Sequence, residues 1–153
     1  MKKSLLIILV LIPALAVRAQ ENSVPSITFD HLALSVKDVN RSAEFYKSVL
    51  HLKEITNRTE VEGVRWFSLG EGKELHLVSV LKEDVILNKA LHFALTTDDF
   101  DPIVKNLESM NIVYSDWPGT PNKITIRADG IKQIYFQDPD GNWVEINSVR
   151  QES

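Results

Sequence analysis

The stretch FQDPDGNWVEI, residues 136–146, describes two strands joined by a tight turn. Its turn Asp138–Gly141 combines proline, glycine and aspartate, the residue types that favour reversal of the chain. On the second strand Glu145 stands between Val144 and Ile146. Burying a carboxylate there is costly unless a proton or a metal compensates the charge, and the alternative is an edge-strand glutamate that faces water. We therefore predict a strand pair that carries a functional carboxylate.

An internal repeat links this stretch to the rest of the chain. Residues of matching character recur at offsets of 61 or 69 residues, and the pairs are Ala33 with Ala94, Leu34 with Leu95, His31 with His92, Gly72 with Gly141, and His76 with Glu145. The repeat therefore includes turns and apolar positions as well as the polar residues. Two copies of one unit, joined by a linker at Lys82–Lys89, explain the pattern.

Each unit is predicted to contain a strand, a helix and three further strands. The fold class is α+β, with two tandem βαβββ modules at residues 27–81 and 90–149 of a single domain. We expect one helix at Asp38–Leu50 with Asn40 as its N-cap, and a second that runs to about Met110. In the second helix Pro102 suits the first helical position and Asp101 the N-cap. The predicted strands of the first unit are Ile27–Val36, Leu52–Thr56, Val64–Leu69 and Glu74–Leu81. Those of the second are Leu91–Thr97, Ile112–Tyr114, Ile124–Arg127, and a last run in which Gln133–Gln137 leads into Trp143–Asn147.

The pleat of each strand separates its apolar side chains from its small and polar ones. In the first strand Leu32 and Leu34 share one face, and His31 and Ala33 share the other. The apolar face suits packing under a helix, whereas the opposite face suits the wall of a cavity. Three imidazoles and one carboxylate on such faces form a candidate site for a single divalent metal.

Three segments give the chain a family resemblance: FDHLALSVKD at 29–38, FYKSVL at 45–50 and the stretch 136–146. They resemble the vicinal oxygen chelate superfamily, which includes glyoxalase I, methylmalonyl-CoA epimerase, extradiol dioxygenases, and fosfomycin and bleomycin resistance proteins. The resemblance implies paired modules that form an open, cup-shaped mixed β-sheet around a divalent metal, within one chain or across a homodimer. The implied metal ligands are His31, His76, His92 and Glu145. His76 departs from glyoxalase I, which usually has glutamate there, and this leaves one carboxylate among the four.

The resemblance also suggests a reaction. A glyoxalase I-like lyase or isomerase would act on a small substrate with vicinal oxygens, using zinc, nickel, iron, manganese or cobalt as a Lewis acid and Glu145 as ligand and catalytic base. Alternatively, His31, His92 and Glu145 form the facial triad of an extradiol-type Fe(II) ring-cleaving dioxygenase. A third possibility is a non-catalytic small-molecule binding module. Arg127 could bind an anionic substrate or neutralise Asp129.

The N-terminal residues predict export. Two lysines precede the apolar stretch Leu5–Val17, and small residues up to Ala19 match a cleavage site. Residues 1–19 therefore read as a signal peptide, because the apolar run is short for a membrane span. Residues 20–26 form a polar leader and residues 150–153 a polar tail. We expect a periplasmic or secreted protein that leaves the membrane after cleavage. Thiol cosubstrates such as glutathione are scarce outside the cytoplasm.

The composition of the chain bears on two other features, nucleic-acid binding and disulfide bonds. The formal net charge is −4, which gives no electrostatic reason to expect a nucleic-acid partner. The chain has 0 cysteines, so no disulfide forms even after export. The length that follows the signal suits one domain.

Overall fold

The computed structural model describes residues 28–80 and 85–149. The predicted signal peptide, polar leader and tail, and part of the linker lie outside these residues. None of the helices in the described part of the chain is long and apolar enough to span a membrane.

Both modules show the predicted βαβββ order, although one strand predicted in the second module is absent from the described residues. The first consists of β1 (His31–Ser35), α1 (Val39–Leu50), β2 (Glu54–Ile55), β3 (Val64–Gly70) and β4 (Lys73–Val78). The second consists of β5 (His92–Thr97), α2 (Phe100–Ser109), β6 (Thr125–Ile126), β7 (Lys132–Gln137) and β8 (Trp143–Ser148). The βαβββ repeat is therefore confirmed.

The two modules also share one strand register. The sheet orders are β1-β4-β3-β2 and β5-β8-β7-β6, each mixed, with a parallel pair of first and last strands at one edge. Ala33 lies opposite His76 in the first sheet, and Ala94 lies opposite Glu145 in the second. The offsets of the sequence repeat are thus preserved in space, and the α+β fold class is confirmed. The described strands form two four-stranded sheets.

One hydrophobic core serves both modules. Its most deeply buried members come from both helices and from the apolar faces of both sheets: Ala43, Tyr46, Val49, Phe67, Leu75, Leu77, Leu107, Ile134, Phe136, Val144 and Ile146. As the pleat predicts, Leu32 and Leu34 pack against this core, whereas His31 and Ala33 are exposed. The core therefore lies on the side of each sheet opposite to the four predicted ligands.

The Asp138–Gly141 turn docks on α1 and so joins the modules. Asp138 organises the turn by accepting a 2.9 Å hydrogen bond from the backbone N–H of Asp140. The Tyr46 hydroxyl donates to Asp138 Oδ2 at 2.9 Å, and Ser42 Oγ donates to Asp140 Oδ2 at 2.6 Å. Burial and the neighbouring Asp138 raise the pKa of Tyr46 well above its usual value, so the phenol remains a donor.

Both predicted helix caps were wrong by two residues. Asp38, not Asn40, caps α1, because its extended backbone lets the carboxylate accept from the N–H groups of Asn40 and Arg41 at 2.9 and 3.1 Å. In the second helix Asp99 occupies the cap position, and Asp101 lies in the first turn, where it accepts from Lys132 Nζ at 2.7 Å. Proline is tolerated within a first turn because those N–H groups have no intrahelical acceptor.

The strand predicted at Ile112–Tyr114 was also wrong. Only isolated bridges occur in that region, from Ser115 to Tyr135 and to Pro121. The carboxylate of Asp116 accepts from the N–H groups of Gly119 and Thr120 at 3.0 and 2.7 Å, which closes a loop instead of extending a ladder. The other strand predictions locate real strands, with differences at their ends.

Candidate functional site

The four predicted ligands lie in pairs, one pair on each sheet. His31 and His76 share the polar face of the first sheet, and His92 and Glu145 share that of the second. Within residues 28–80 and 85–149, no group of three or more histidine, aspartate or glutamate side chains could hold a metal ion. The single four-ligand centre is thus not assembled in the described part of one chain, and the ligand assignment stays a prediction.

The second-module pair is in direct contact. His92 Nε2 lies 3.0 Å from Oε2 of Glu145, whose side chain is 8 % exposed. The other carboxylate oxygen, Oε1, accepts from Gln133 Nε2 at 2.7 Å and from Asn147 Nδ2 at 2.5 Å. One oxygen of Glu145 is therefore held by amide donors, and the other is turned towards the imidazole.

These contacts keep Glu145 ionised. Burial alone would raise the pKa of Glu145, but hydrogen bonds from Tyr135, Asn147 and Gln133, together with the charge of His92, lower it below its ordinary value. Burial, followed by contact with this carboxylate, raises the pKa of Tyr135. Tyr135 therefore keeps its proton and donates a hydrogen bond to Glu145.

The orientation of His92 is set by the linker. Its Nδ1 lies 2.9 Å from the backbone carbonyl of Lys89, an acceptor, so Nδ1 must carry a proton. In a neutral imidazole the lone pair then sits on Nε2, which faces the carboxylate of Glu145. Two electron-rich atoms at 3.0 Å require a proton or a cation between or beside them. A proton on Nε2 meets this requirement as a hydrogen bond, and a cation bound by both atoms would meet it as well.

Lys89 also fastens the loop that borders this pair. Its Nζ donates to Ser115 Oγ at 3.0 Å, to the carbonyl of Trp117 at 3.2 Å and, in a short contact, to the carbonyl of Asp116. The ammonium lies 4.6 Å from the ring centre of Tyr135, and burial lowers the pKa of Lys89. The loop carries the half-exposed Trp117. Aromatic side chains therefore border the second-module pair.

The first-module pair is built as a stack. The rings of His31 and His76 lie 4.3 Å apart, and Trp66 stacks on the other side of His76 at 4.0 Å with an interplanar angle of 4°. The Arg58 guanidinium covers Trp66 at 4.5 Å. His31 Nδ1 is 2.7 Å from a carboxylate oxygen of Asp30. The sequence analysis did not predict this stacking, because nothing in the repeat relates Trp66 to the histidines.

Glu74 is a site residue that the sequence interpretation missed. Its Oε2 lies 2.8 Å from His76 Nε2, and both of its oxygens accept from Arg58 Nη2, at 2.8 and 3.0 Å. Hydrogen bonds from His76 and then Arg58 lower the pKa of Glu74. The two-residue spacing of Glu74 and His76 on one strand was the available signal, since such residues share a face. The polar faces therefore carry a second carboxylate.

Arg127 has a local partner. Its Nη2 donates to Asp129 Oδ2 at 2.9 Å, in a loop beside the short strand β6. This contact agrees with neutralisation of Asp129, one of the two roles expected from the sequence. A role for Arg127 in substrate binding stays a prediction.

Comparison with known proteins supports the family resemblance. The family model of the Glyoxalase/Bleomycin resistance protein/Dioxygenase superfamily matches residues 28–146. Uncharacterized protein YwbC of Bacillus subtilis is 31% identical over 123 residues, 76% of this chain and 94% of that protein. Metallothiol transferase FosB of Staphylococcus epidermidis is 30% identical over 127 residues, 78% of this chain and 80% of that protein. The solved structure of Oxidase ChaP-H2 matches with a TM-score of 0.68 at 23% identity, covering 84% of this chain and 98% of that one, a likeness of fold alone.

Proposed function

Because this chain belongs to the Glyoxalase/Bleomycin resistance protein/Dioxygenase superfamily, we propose that it is a metal-dependent lyase or isomerase. Its substrate would be a small molecule with vicinal oxygens. His31, His76, His92 and Glu145 would hold one divalent ion, with zinc, nickel, iron, manganese and cobalt all compatible with these donors. Glu145 would also accept the proton that the reaction moves.

The contact between His92 and Glu145 carries this proposal. A carboxylate that is buried, ionised and turned with one oxygen towards an imidazole lone pair is suited to share a cation with that imidazole. Gln133 and Asn147 donate hydrogen bonds to the other oxygen of Glu145. Carboxylates that bind metals in proteins are commonly held by such hydrogen bonds.

A second copy of the chain is the proposed means of joining the two pairs. β1 and β5 each end their sheet, and a groove between them has His92 and Trp143 in its wall. Exposed apolar side chains flank this region, with Ile86 89% and Leu91 58% exposed. An open strand edge and exposed apolar residues favour association. In a two-fold dimer, the first module of one copy would meet the second module of the other.

Each residue of the site has a separate task in this proposal. A bound ion would act as a Lewis acid that polarises the substrate oxygens. Glu145 would accept a proton from carbon, because its lowered pKa leaves the carboxylate ionised and one of its oxygens has no amide donor. The Lys89 carbonyl fixes the tautomer of His92. Trp117 meets His92 in an edge-to-face contact, with ring centres 6.0 Å apart, and would limit the access of water to this side of the site.

His76 distinguishes the two candidate ligand sets. Its ring is stacked on that of His31, so it would join the ion as a fourth ligand only by turning out of this stack. A dioxygenase triad would use His31, His92 and Glu145 and would leave His76 in the stack. We also propose that the chain is exported after removal of residues 1–19 and that its partner is a small molecule.

The test of the proposed reaction is Glu145→Gln in the zinc-, nickel- and iron-loaded protein. The measurement is exchange of carbon-bound hydrogen into D2O by NMR, with small α-hydroxyketones such as dihydroxyacetone as probes. We expect the amide to retain the fold and much of the metal but to abolish exchange, because it cannot accept the proton. Glu71→Gln, at an exposed turn residue, is the matched control. Full exchange activity in Glu145→Gln would refute the base assignment, and activity that requires iron and O2 and survives His76→Ala would indicate a dioxygenase.

Mixing two inactive variants tests where the site forms. His31→Ala damages only the first-module pair and His92→Ala only the second-module pair. If each site combines the two modules of different copies, co-folding equal amounts should restore about one quarter of the wild-type sites. No recovery of metal binding would refute the shared site and would indicate closure within one chain.

A further inference from the structure

Four planar groups form one column on the polar face of the first sheet. Trp66 stacks on His76 at 4.0 Å between ring centres with an interplanar angle of 4°, and His76 stacks on His31 at 4.3 Å with an angle of 14°. The guanidinium of Arg58 covers the outer face of Trp66, 4.5 Å from the ring centre. The buried Nε1 of Trp66 has no hydrogen-bond partner among the described residues, so stacking holds this ring in place.

The end of the column at Trp66 is closed by a planar cation. The Arg58 guanidinium lies against the ring, and its Nη2 donates to both carboxylate oxygens of Glu74 at 2.8 and 3.0 Å. Arginine suits this place because its guanidinium is flat and weakly hydrated and because an indole face attracts cations. A flat cation therefore joins a ring face to a carboxylate at this end.

The other end, at His31, also offers a ring face and a carboxylate. Nδ1 of His31 lies 2.7 Å from Oδ2 of Asp30, which is at the edge of the ring. His76 covers one face of the ring, yet the side chain of His31 is 43% exposed. The other face is therefore open to solvent, and within the described part of the chain no ring or cationic side chain stacks on it.

The charges around this open face favour a cation. The titratable side chains that face Asp30 are those of His31, His76 and Arg58, and Arg58 is already paired with Glu74. The side chain of Asp30 is 84% exposed, so a ligand can reach its carboxylate. A negatively charged ring stacked on His31 would be repelled by Asp30, whereas a positively charged ring would be attracted.

We propose that the open face of His31 is a binding site for a planar, positively charged heteroaromatic ring of a small molecule. The ligand would extend the column by one layer and place its charge beside Asp30, as Arg58 places its charge beside Glu74 at the far end. The rest of the column already holds the imidazole in position, so little conformational freedom is lost on binding. Binding here requires neither a metal ion nor the proposed reaction.

The experiment uses three probes that share one fused ring system and differ in charge: N-methylquinolinium, quinoline and quinoline-6-carboxylate. Each is titrated into the metal-free full chain near pH 8, above the ordinary pKa of an imidazole. The histidine rings are followed by 1H–13C NMR, with the His31 signals assigned from His31→Ala. We expect the largest ring-current shift at His31 and the tightest binding for the cation, followed by the neutral ring and then the anion.

Substitutions of His31 separate stacking from general apolar contact. Affinities come from the signals of the probe itself, which can be measured for every variant. We expect His31→Ala and His31→Leu to bind N-methylquinolinium about 5- to 100-fold more weakly, because neither offers a flat face, and His31→Phe to retain binding. His51→Asn, which removes an exposed imidazole at the end of α1, is the matched control and should equal the wild type.

Asp30→Asn tests the charge preference separately. The variant should bind the cation about 2- to 5-fold more weakly, as expected for the loss of one exposed charge pair, and should bind quinoline as the wild type does. Should His31→Ala fail to fold, His31→Leu and Asp30→Asn decide.

Four results would overturn the inference. These are no shift of the His31 ring with N-methylquinolinium, equal affinity of His31→Ala and the wild type, equally tight binding of the anion and the cation, and loss of probe binding at higher protein concentration. The last result would identify a second copy of the chain as the occupant of this face. Because the titrations use metal-free protein, their outcome is independent of whether the proposed reaction occurs.

Discussion

Replacing Tyr46 with Phe tests how firmly the Asp138–Gly141 turn holds the two modules together. The substitution removes one hydroxyl from a fully buried ring and preserves the apolar contacts of that ring. The lost interaction is the 2.9 Å hydrogen bond to Asp138 Oδ2. Because that oxygen also accepts from Asn142 Nδ2 at 2.8 Å, the carboxylate does not become unpaired.

The expected loss follows from these contacts. A hydrogen bond to a charged group contributes about 1.5–3 kcal/mol, and the remaining Asn142 donor favours the lower part of that range. We expect the free energy of unfolding to fall by about 1.5–2 kcal/mol, which lowers Tm by roughly 3–8 °C for a chain of this size. Chemical and thermal denaturation followed by circular dichroism provide the measurement, with an unchanged m-value as the check on two-state behaviour.

Tyr114→Phe is the matched control. Its hydroxyl donates to Glu108 Oε1 at 3.0 Å, but Glu108 is exposed on α2, so water can replace the lost donor. The expected loss is about 0.5–1 kcal/mol. If Tyr46→Phe proved no less stable than Tyr114→Phe, the docking of the turn on α1 would not be the inter-module contact described here.

Two further substitutions test local features of the fold and site. His51 ends α1 with a φ of 53°, in the left-handed region, so His51→Gly should stabilise the chain by about 0.5–1 kcal/mol in urea denaturation; a loss of stability would contradict the cap assignment. Lys89→Met should weaken the loop at residues 115–117 by removing three hydrogen bonds. We expect faster amide exchange in that loop, whereas His92 should stay bound to the unchanged backbone carbonyl of residue 89. Unaltered amide exchange would contradict the role of Lys89.

The repeat made the architecture predictable from sequence. Matching offsets require the same register in both sheets, so once Ala33 lies beside His76 in the first sheet, Ala94 must lie beside Glu145 in the second. The pleat then determines which side chains face the core. Helix caps were less predictable, because several adjacent residues, such as Asp38 and Asn40, have suitable side chains and only the backbone angles distinguish them.

Site residues outside the repeat could not be found by the same reasoning. Glu74 corresponds to Trp143 in the second module, so comparison of the two modules does not identify it as an orienting carboxylate. Lys89 lies in the linker and acts partly through its backbone carbonyl, which every residue possesses. The separation of the ligand pairs also depends on how the modules pack, and no local pattern records that packing.

The position of the core explains why the ligand pairs remain apart within the described chain. Tyr46 joins α1 to the turn of the second module, and α1 and α2 bury the apolar faces of both sheets in one core. Residues that alternate with core residues must point to the other side, and these include His76 and Glu145. Packing within the chain therefore buries the apolar faces of the sheets. It leaves the ligand-bearing faces and the edges of β1 and β5 available for contact with another surface. In the proposed dimer a second copy would offer the complementary pair of ligands, so we expect metal binding and self-association to be lost together.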